Sequence, residues 1–497
     1  MSKTFRAWTI DQPLFLPPAV GDFVAVDHIA RFVLALVREE LDLAEITGTY
    51  GRERGQPPFH PVMMTALLLY AYCSGIYSSR RIAKACRERV DVMSIVGLDA
   101  PDFRTISDFR KRHLKALSAL FVQVLLLCEQ AGLVKLGHVA LDGTKIKANA
   151  SKHKAMSYER MEKRAAELEA EVAKWLAAAA AADAAEDKAH GRDTSGAEMP
   201  AWVADKKRRA EVIRTAKAEL EAEATAAAEA RAKALAEVEE TRKAEGRKKP
   251  GPPAAPPSTA PDGKAQKNFT DPESRIMKSK DGFVQAYNAQ AAVDGEAQII
   301  VAQAVTQQPN DKQQLVPMTD AVEANLGRKP TQLSADAGYC SEPNLEALEA
   351  RGIDAYIATG RARDAATADA VATADAVAQV AANPAAATTT GEAAIATGGE
   401  ATSAALALPA AELAVAPTRV AAMRAKIKAG GHDSPYRYRK QLPEPVFGQI
   451  KQARGFRQFL LRGIENVSGE WGMVCAAHNL LKLFQGRTLS AATAAAR

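Results

Sequence analysis

The patterned parts of this chain are not contiguous, and that discontinuity constrains its fold more than any single motif. Strand texture first appears at residues 137–148, around Val139-Ala140-Leu141, and resumes only at 282–293 and 298–305. Between them, from Met156 to about Arg247, the chain is rich in Ala, Glu, Lys and Arg, with a break at Gly191-Arg192-Asp193-Thr194-Ser195-Gly196. Strands so far apart pair only if the chain between them returns to its starting point. Two long helices folded back as a hairpin do this, and the charge pattern suits solvated helices. A sheet interrupted by an inserted helical hairpin is therefore expected.

A second interruption lies at 361–417. From 364 to 417 it holds no Lys or Arg and six acidic residues, and it repeats TADAVA from Thr367 and again from Thr373. Such a stretch has little with which to pack a core and is expected to be a flexible insert or a weak helix. Alanine, about a fifth of the 497 residues, is concentrated in the two interruptions, so the 47% hydrophobic content overstates the core-forming sequence. The remaining pattern is specific. Two strand-like runs bracketing Asp294-Gly295 read as a β-hairpin. A helix follows at 313–326, a strand at 331–335 ending in Asp336, a helix at 343–351 and a strand at 353–358. Antiparallel pairing first and parallel pairing after make a mixed α/β core. The division that follows is a helical N-terminal domain at 1–130 and core pieces at 131–155, 268–360 and 418–485. The hairpin insertion occupies 156–250, a Pro/Gly linker 251–267, the low-complexity insertion 361–417 and a tail 486–497.

Charge is distributed unevenly. The chain carries a formal +6, small for its size, yet residues 418–497 hold fourteen Lys and Arg against four Asp and Glu. From Arg80 to Lys115 there are ten against five. The latter stretch is either a solvated helix face or a phosphate-tracking surface on a helix-turn-helix-like module. Residues 61–77 (PVMMTALLLYAYCSGIY), with Pro at the first turn, read as a buried helix. The most apolar run, 116–128, is too short to span a bilayer, and the first eighteen residues place charges and prolines where a signal peptide has its apolar segment. Five scattered cysteines without a CxxC pair argue against a disulfide framework or a thiolate zinc site. A soluble, cytoplasmic protein is expected.

Three acidic residues stand out. Asp142 lies in a strand leading to an Asp-Gly turn signal, Asp336 at a strand end, and Glu444 near the start of a helix in a basic segment. Hard divalent cations take oxygen ligands, and carboxylates converging from separate elements suit phosphodiester chemistry. Alone, each has a plainer reading: Asp142 as a turn residue, as for Asp281-Gly282 and Asp294-Gly295, and Glu444 as a first-turn acid favoured by the helix dipole.

Together the motifs are familiar. Ala140-Leu141-Asp142-Gly143-Thr144, Ser334-Ala335-Asp336-Ala337-Gly338-Tyr339 and Glu444-Pro445-Val446-Phe447-Gly448-Gln449-Ile450-Lys451 resemble the three acidic motifs of bacterial insertion-sequence DDE transposases of the IS-four and IS-five type. Phe59-His60-Pro61, Tyr77-Ser78-Ser79-Arg80-Arg81 and Arg104-Thr105-Ile106-Ser107-Asp108-Phe109-Arg110 resemble that family's N-terminal domain. The resemblance implies an RNase H-like core, with Asp142, Asp336 and Glu444 as catalytic ligands of two Mg2+ or Mn2+ ions. The implied partners are double-stranded DNA, both element ends and target, and a second copy of the chain once assembled on DNA, with the protein at the nucleoid when acting.

The family's Tyr-x2-Arg-x3-Glu-x6-Lys signature fits with one departure. Lys451 lies seven residues after Glu444, on the same face of a continuous helix and in reach of a phosphate. The Arg and Tyr positions fall on Lys440 and Arg437, so Tyr436, Tyr438, Arg439 and Lys440 all remain candidates for those roles. Arg454, Arg457 and Arg462, beside Phe456 and Phe459, read as a DNA-backbone groove or as a surface helix with an aromatic core. Arg80, Arg81, Arg110, Lys111 and Arg112 are the N-terminal DNA-binding candidates. His138, His478 and the helix at 471–483 read as structural. The hairpin at 156–245 reads either as a packing arm for a second copy or as a lone solvated hairpin.

Overall fold

The computed structural model describes residues 19–51, 57–190, 201–244, 246, 256–279, 282–360 and 418–495. Both the hairpin's break and the low-complexity insertion lie outside these residues.

The N-terminal region is helical. It comprises α1 (Ile29–Glu39), α2 (Ala44–Thr47), α3 (Pro61–Cys73), α4 (Ser79–Glu88), α5 (Val90–Val96), α6 (Phe103–Arg112) and α7 (Leu114–Gln130). Pro61 occupies the first turn of α3 behind the His60 cap, and α3 is buried on all sides from Met64 to Cys73, as its apolar sequence requires.

The core begins with β1 (His138–Lys147), which leaves for the insertion through β2 (Ala155–Ser157), α8 (Tyr158–His190) and α9 (Ala201–Ala244). The chain returns through β3 (Gln266–Asn268), β4 (Arg275–Ser279), β5 (Gly282–Asp294) and β6 (Ile300–Thr306). Next come α10 (Leu315–Leu326), β7 (Gln332–Ala335), α11 (Glu342–Ala350) and β8 (Asp354–Ile357). The C-terminal piece holds α12 (Arg419–Gly430), α13 (Tyr438–Gln441), α14 (Pro443–Gly448) and α15 (Ile464–Ala495), and α15 runs without a break into the expected tail as far as Ala495.

β1 sits at the centre of the sheet. It pairs antiparallel with β5 and parallel with β7, which pairs parallel with β8. The far edge of β5 takes β4 along its first half and β6 along its second. The order β6-β5-β1-β7-β8, antiparallel first and parallel after, is that of an RNase H-like core. The β5–β6 hairpin turns at Asp294-Gly295, where buried Asp294 also accepts the Leu136 amide at 2.8 Å.

α15 joins the core to the N-terminal helices. Trp471, Met473, Val474, Cys475, Leu480 and Leu483 are fully buried or nearly so, and the helix packs on α7, α3 and β6. Two glycines let α7 approach: a Cβ at Gly469 would lie 2.6 Å from Leu114 Cγ, and one at Gly472 would overlap the Ser118 hydroxyl. Among the described residues no single helix is long and apolar enough to cross a membrane. All five cysteines are free, four of them buried.

The hairpin is anchored to the core. Met161 and Leu168 of α8 meet Ile213, Ala216 and Leu220 of α9 in a small separate core. Nearly buried Lys267 of β3 sits between Glu219 and Glu223 of α9, at 2.6 and 2.9 Å, and Tyr158 donates to Glu221 at 2.6 Å.

Candidate active site

Register brings the first two acids together. β1 and β7 run parallel with Leu141 opposite Ala335, so the next residues, Asp142 and Asp336, stand side by side on neighbouring strands, which lie about 4.8 Å apart. Asp142 Oδ1 accepts the Gly143 amide and Asp336 Oδ1 the Gly338 amide, each at 2.8 Å. Burial pushes the Asp142 carboxyl up to about 7, reinforced by the charges of Asp336 and Asp311 and opposed by the Gly143 N–H and Arg439. The expected turn at Asp142-Gly143 is absent: β1 continues to Lys147, because five further residues pair with β5. Gly143 serves close packing instead. A Cβ there would lie 2.8 Å from Asp311 Oδ1 and 3.0 Å from Asn288 Oδ1, and would overlap the Gln290 amide.

Asp311 escaped the sequence reading. It follows β6 in a turn-like Asn-Asp pair, and its Oδ1 accepts Asn288 Nδ2 at 2.6 Å and Gln290 Nε2 at 2.7 Å. Lys145 lies 3.8 Å from Oδ2. Gln290 Oε1 in turn accepts the buried Tyr339 hydroxyl, which ties β5 to the turn after Asp336. Asn288 Oδ1 is buried and has no hydrogen-bond partner. The available signal was two amides, Asn288 and Gln290, spaced two apart on one side of a strand that is otherwise largely apolar.

The third motif arrives on helices packed against β1. Arg439 of α13 offsets the rise at Asp142 and stacks over the Tyr436 ring at 5.2 Å. Burial raises the Tyr436 hydroxyl, with Asp336 adding to the rise and Arg439 opposing it. Tyr436 and Arg439 thus lie within electrostatic reach of the aspartates, whereas Lys440 is exposed and Tyr438 packs on His138 at 4.8 Å. Tyr-x2-Arg spacing is kept, with one extra residue before Glu444, where α13 ends and Pro443 starts a new helix.

Glu444 and Lys451 differ in their surroundings. Glu444 is exposed on α14, while Lys451 Nζ donates to Thr144 Oγ1 and, at 2.9 Å, to the Lys145 carbonyl on β1. Lys451 lies in a π-helical turn, Gln449–Ala453, which departs from the continuous α-helical phase assumed from spacing. Among the described residues no three Asp, Glu, His or Cys side chains are gathered tightly enough to hold a metal ion as they stand.

Of the basic candidates, Arg110 is buried and Arg454 half-buried, contrary to expectation. Arg110 is 5% exposed and donates to the Tyr72 hydroxyl, the Tyr77 carbonyl at 2.8 Å and the Ser79 hydroxyl. Arg454 lies against His478 at 3.2 Å and the Gln449 carbonyl, and burial lowers its pKa. Both lie at the seam between the N-terminal helices and α15, where hydrogen bonds within the protein engage their guanidinium groups. Arg457 is exposed, and its guanidinium is held by the Lys451 carbonyl and Gln452. Arg80 and Arg81, with Lys84 and Arg87, form an exposed basic face on α4 opposite Ile82, Ala83, Ala85 and Cys86, and Lys111 and Arg112 are exposed at the end of α6. Arg454→Met should therefore leave DNA affinity within about twofold of the parent, whereas Arg80→Ala/Arg81→Ala should reduce the slope of log affinity against log salt by about two. Fluorescence anisotropy at several KCl concentrations separates these outcomes.

Three regions of the chain match known families. Residues 19–112 match a family described as Transposase domain (DUF772), and residues 254–395 and 412–484 match two families each described as Transposase DDE domain. The second covers Asp336 and the third Glu444 and Lys451, while Asp142 falls outside all three. No curated protein and no solved structure matches the chain. Three transposase families, matched in chain order across the α4 basic face, the Asp336 strand and the Glu444 helix of an RNase H-like sheet, show that the chain belongs to the insertion-sequence DDE transposases.

Proposed function

We propose that the protein binds the ends of its own insertion sequence, cleaves them by metal-dependent hydrolysis at Asp142, Asp336 and Glu444, and joins the freed 3′-hydroxyl to target DNA. The observation that carries the reading is the register that sets Asp142 beside Asp336, with Lys451 from the Glu444 segment bonded to the same strand two residues on. The donor set suits a hard cation: the Asp142 carboxylate, whose charged form burial and the nearby Asp336 and Asp311 disfavour, and a buried amide oxygen, Asn288 Oδ1, without a hydrogen-bond partner. Asp142 and Asp336 would hold Mg2+ or Mn2+, with Glu444 as their third ligand. When bound, such ions activate water and neutralise charge developing on the phosphate.

The chain's own groups orient the DNA. Lys451, bonded to β1 at Thr144, and Arg439, whose charge acts on Asp142, would meet the scissile phosphate, and Tyr436 backs Arg439. In the first step water adds to phosphorus and the bond to the 3′-oxygen breaks, leaving a 3′-hydroxyl and a 5′-phosphate. In the second, that hydroxyl displaces a 3′-oxygen of the target, so one phosphodiester is exchanged for another. Purified protein, Mg2+, a duplex carrying one element end and a supercoiled plasmid should yield nicked ends and end-plasmid joints. Nicking without joints would reduce the activity to that of a nuclease.

The strained charge at Asp142 has its own signature. A carboxyl that titrates near 7 when folded and near 4 when unfolded favours the folded state below pH 4 and loses that contribution as pH rises through 7. In EDTA, Asp142→Asn should therefore be more stable than the parent at pH 8 by on the order of 2–4 kcal/mol, with the gap closing by pH 4–5. Thermal melts at both pH values check it; a gap independent of pH would disprove the assignment.

A further inference from the structure

Cations on the inserted hairpin divide into two groups. Those between the helices are neutralised: Lys217 meets Glu162 at 3.0 Å, Arg214 meets Glu169 and Lys206 meets Glu171. At the root, where the hairpin leaves the sheet, a different set surrounds an open cavity of about 490 Å³. Lys154, Arg160, Arg208 and Arg209 line it with His153, against a single acid, Asp205. All four Lys and Arg side chains are exposed, and none has a carboxylate partner among the described residues. Met156, Ile213 and Phe269 supply an apolar wall, and the Phe269 amide donates to the Lys154 carbonyl at 3.1 Å, which fixes both sides of the opening.

Like charges gather unpaired at a rigid opening only at a cost in mutual repulsion, which a polyanion would relieve. The position favours DNA over a small anion. From the end of β1 the exposed cations Lys147, Lys152 and Lys154 lead from the strand that carries Asp142 to the cavity, with no acid between them. Guanidinium pairs such as Arg208 and Arg209 suit phosphate oxygens, and a partly exposed aromatic offers the sugar an apolar contact.

We propose that this root cavity seats the phosphodiester backbone of the duplex held at the catalytic aspartates, so that the inserted hairpin is a DNA clamp. The inference rests on the transposase reading of the Asp142 site. The test uses the full chain carrying Asp142→Asn and a 60-base-pair duplex of one element end with its flanking DNA, titrated by anisotropy between 50 and 300 mM KCl. Adding Arg208→Ala/Arg209→Ala should lower the magnitude of the log–log salt slope by about two and weaken binding roughly tenfold or more at intermediate salt. Arg160→Ala should lower it by about one. Unchanged slopes in both variants, with unchanged circular dichroism, would overturn the clamp. Loss of self-association in sedimentation with an intact slope would also overturn it, by making the cavity a protein-docking site. If the parent shows no salt-dependent binding to this duplex, the DNA reading of the catalytic site fails first, and the two failures remain distinct.

Discussion

Asp142→Asn, Asp336→Asn and Glu444→Gln should each reduce Mg2+-dependent cleavage of an element-end duplex by ~10³-fold or more, while leaving circular dichroism and duplex affinity unchanged. The magnitude follows from removing one oxygen ligand from a site that must stabilise several kcal/mol of developing charge. Each variant keeps the side chain's size, so the β1–β7 register and the α14 packing persist. The Glu444 outcome is the most informative of the three. Its side chain is exposed, unlike those of the aspartates, so full activity of Glu444→Gln would remove α14 from the catalytic set and leave Asp311 as the next acid to test.

The second large effect concerns the seam between the N-terminal helices and the core. Gly472→Val places a branched side chain where even a Cβ overlaps the Ser118 hydroxyl of α7. Overpacking of this kind costs about 3 kcal/mol, which for a unit of this size lowers the melting temperature by roughly 6–12 °C. Ser118→Gly in the same chain should restore part of the loss, because it removes the atoms that collide. A Gly472→Val protein that melts with the parent would mean that α7 and α15 are not in contact in solution. Function follows from the same contact, since α15 also packs on β6 of the catalytic sheet. Through this seam the basic face of α4 is held in a fixed relation to Asp142.

Much of the fold was legible because its signals are local. The Asp294-Gly295 hairpin, the helices after β6 and β7, and the paired helices of the insertion follow from turn chemistry and periodicity, which neighbouring residues carry. The site was legible in part for the same reason, as Asp336 ends a short strand and Lys451 sits in a patterned basic segment. What misled the reading was also local. Asp142-Gly143 has the composition of a turn, but pairing with β5 on one side and β7 on the other holds the strand straight through it. Arg110 and Arg454 have the composition of a DNA-binding surface, but helix packing buries the first and turns the second onto His478 of α15.

By itself, then, the sequence determined the class of core, the places where it is interrupted and the motifs that supply its acids, because periodicity and turn residues act over a few positions. Only the tertiary structure decided which charges meet. It put Asp311 beside Asp142, set Tyr436 and Arg439 within electrostatic reach of the aspartates, buried Arg110 and left Lys154, Arg160, Arg208 and Arg209 around one cavity without acid partners among the described residues. The physical reason is that electrostatic interaction depends on distance and burial, and for residues far apart in the chain both are set by strand register and helix packing.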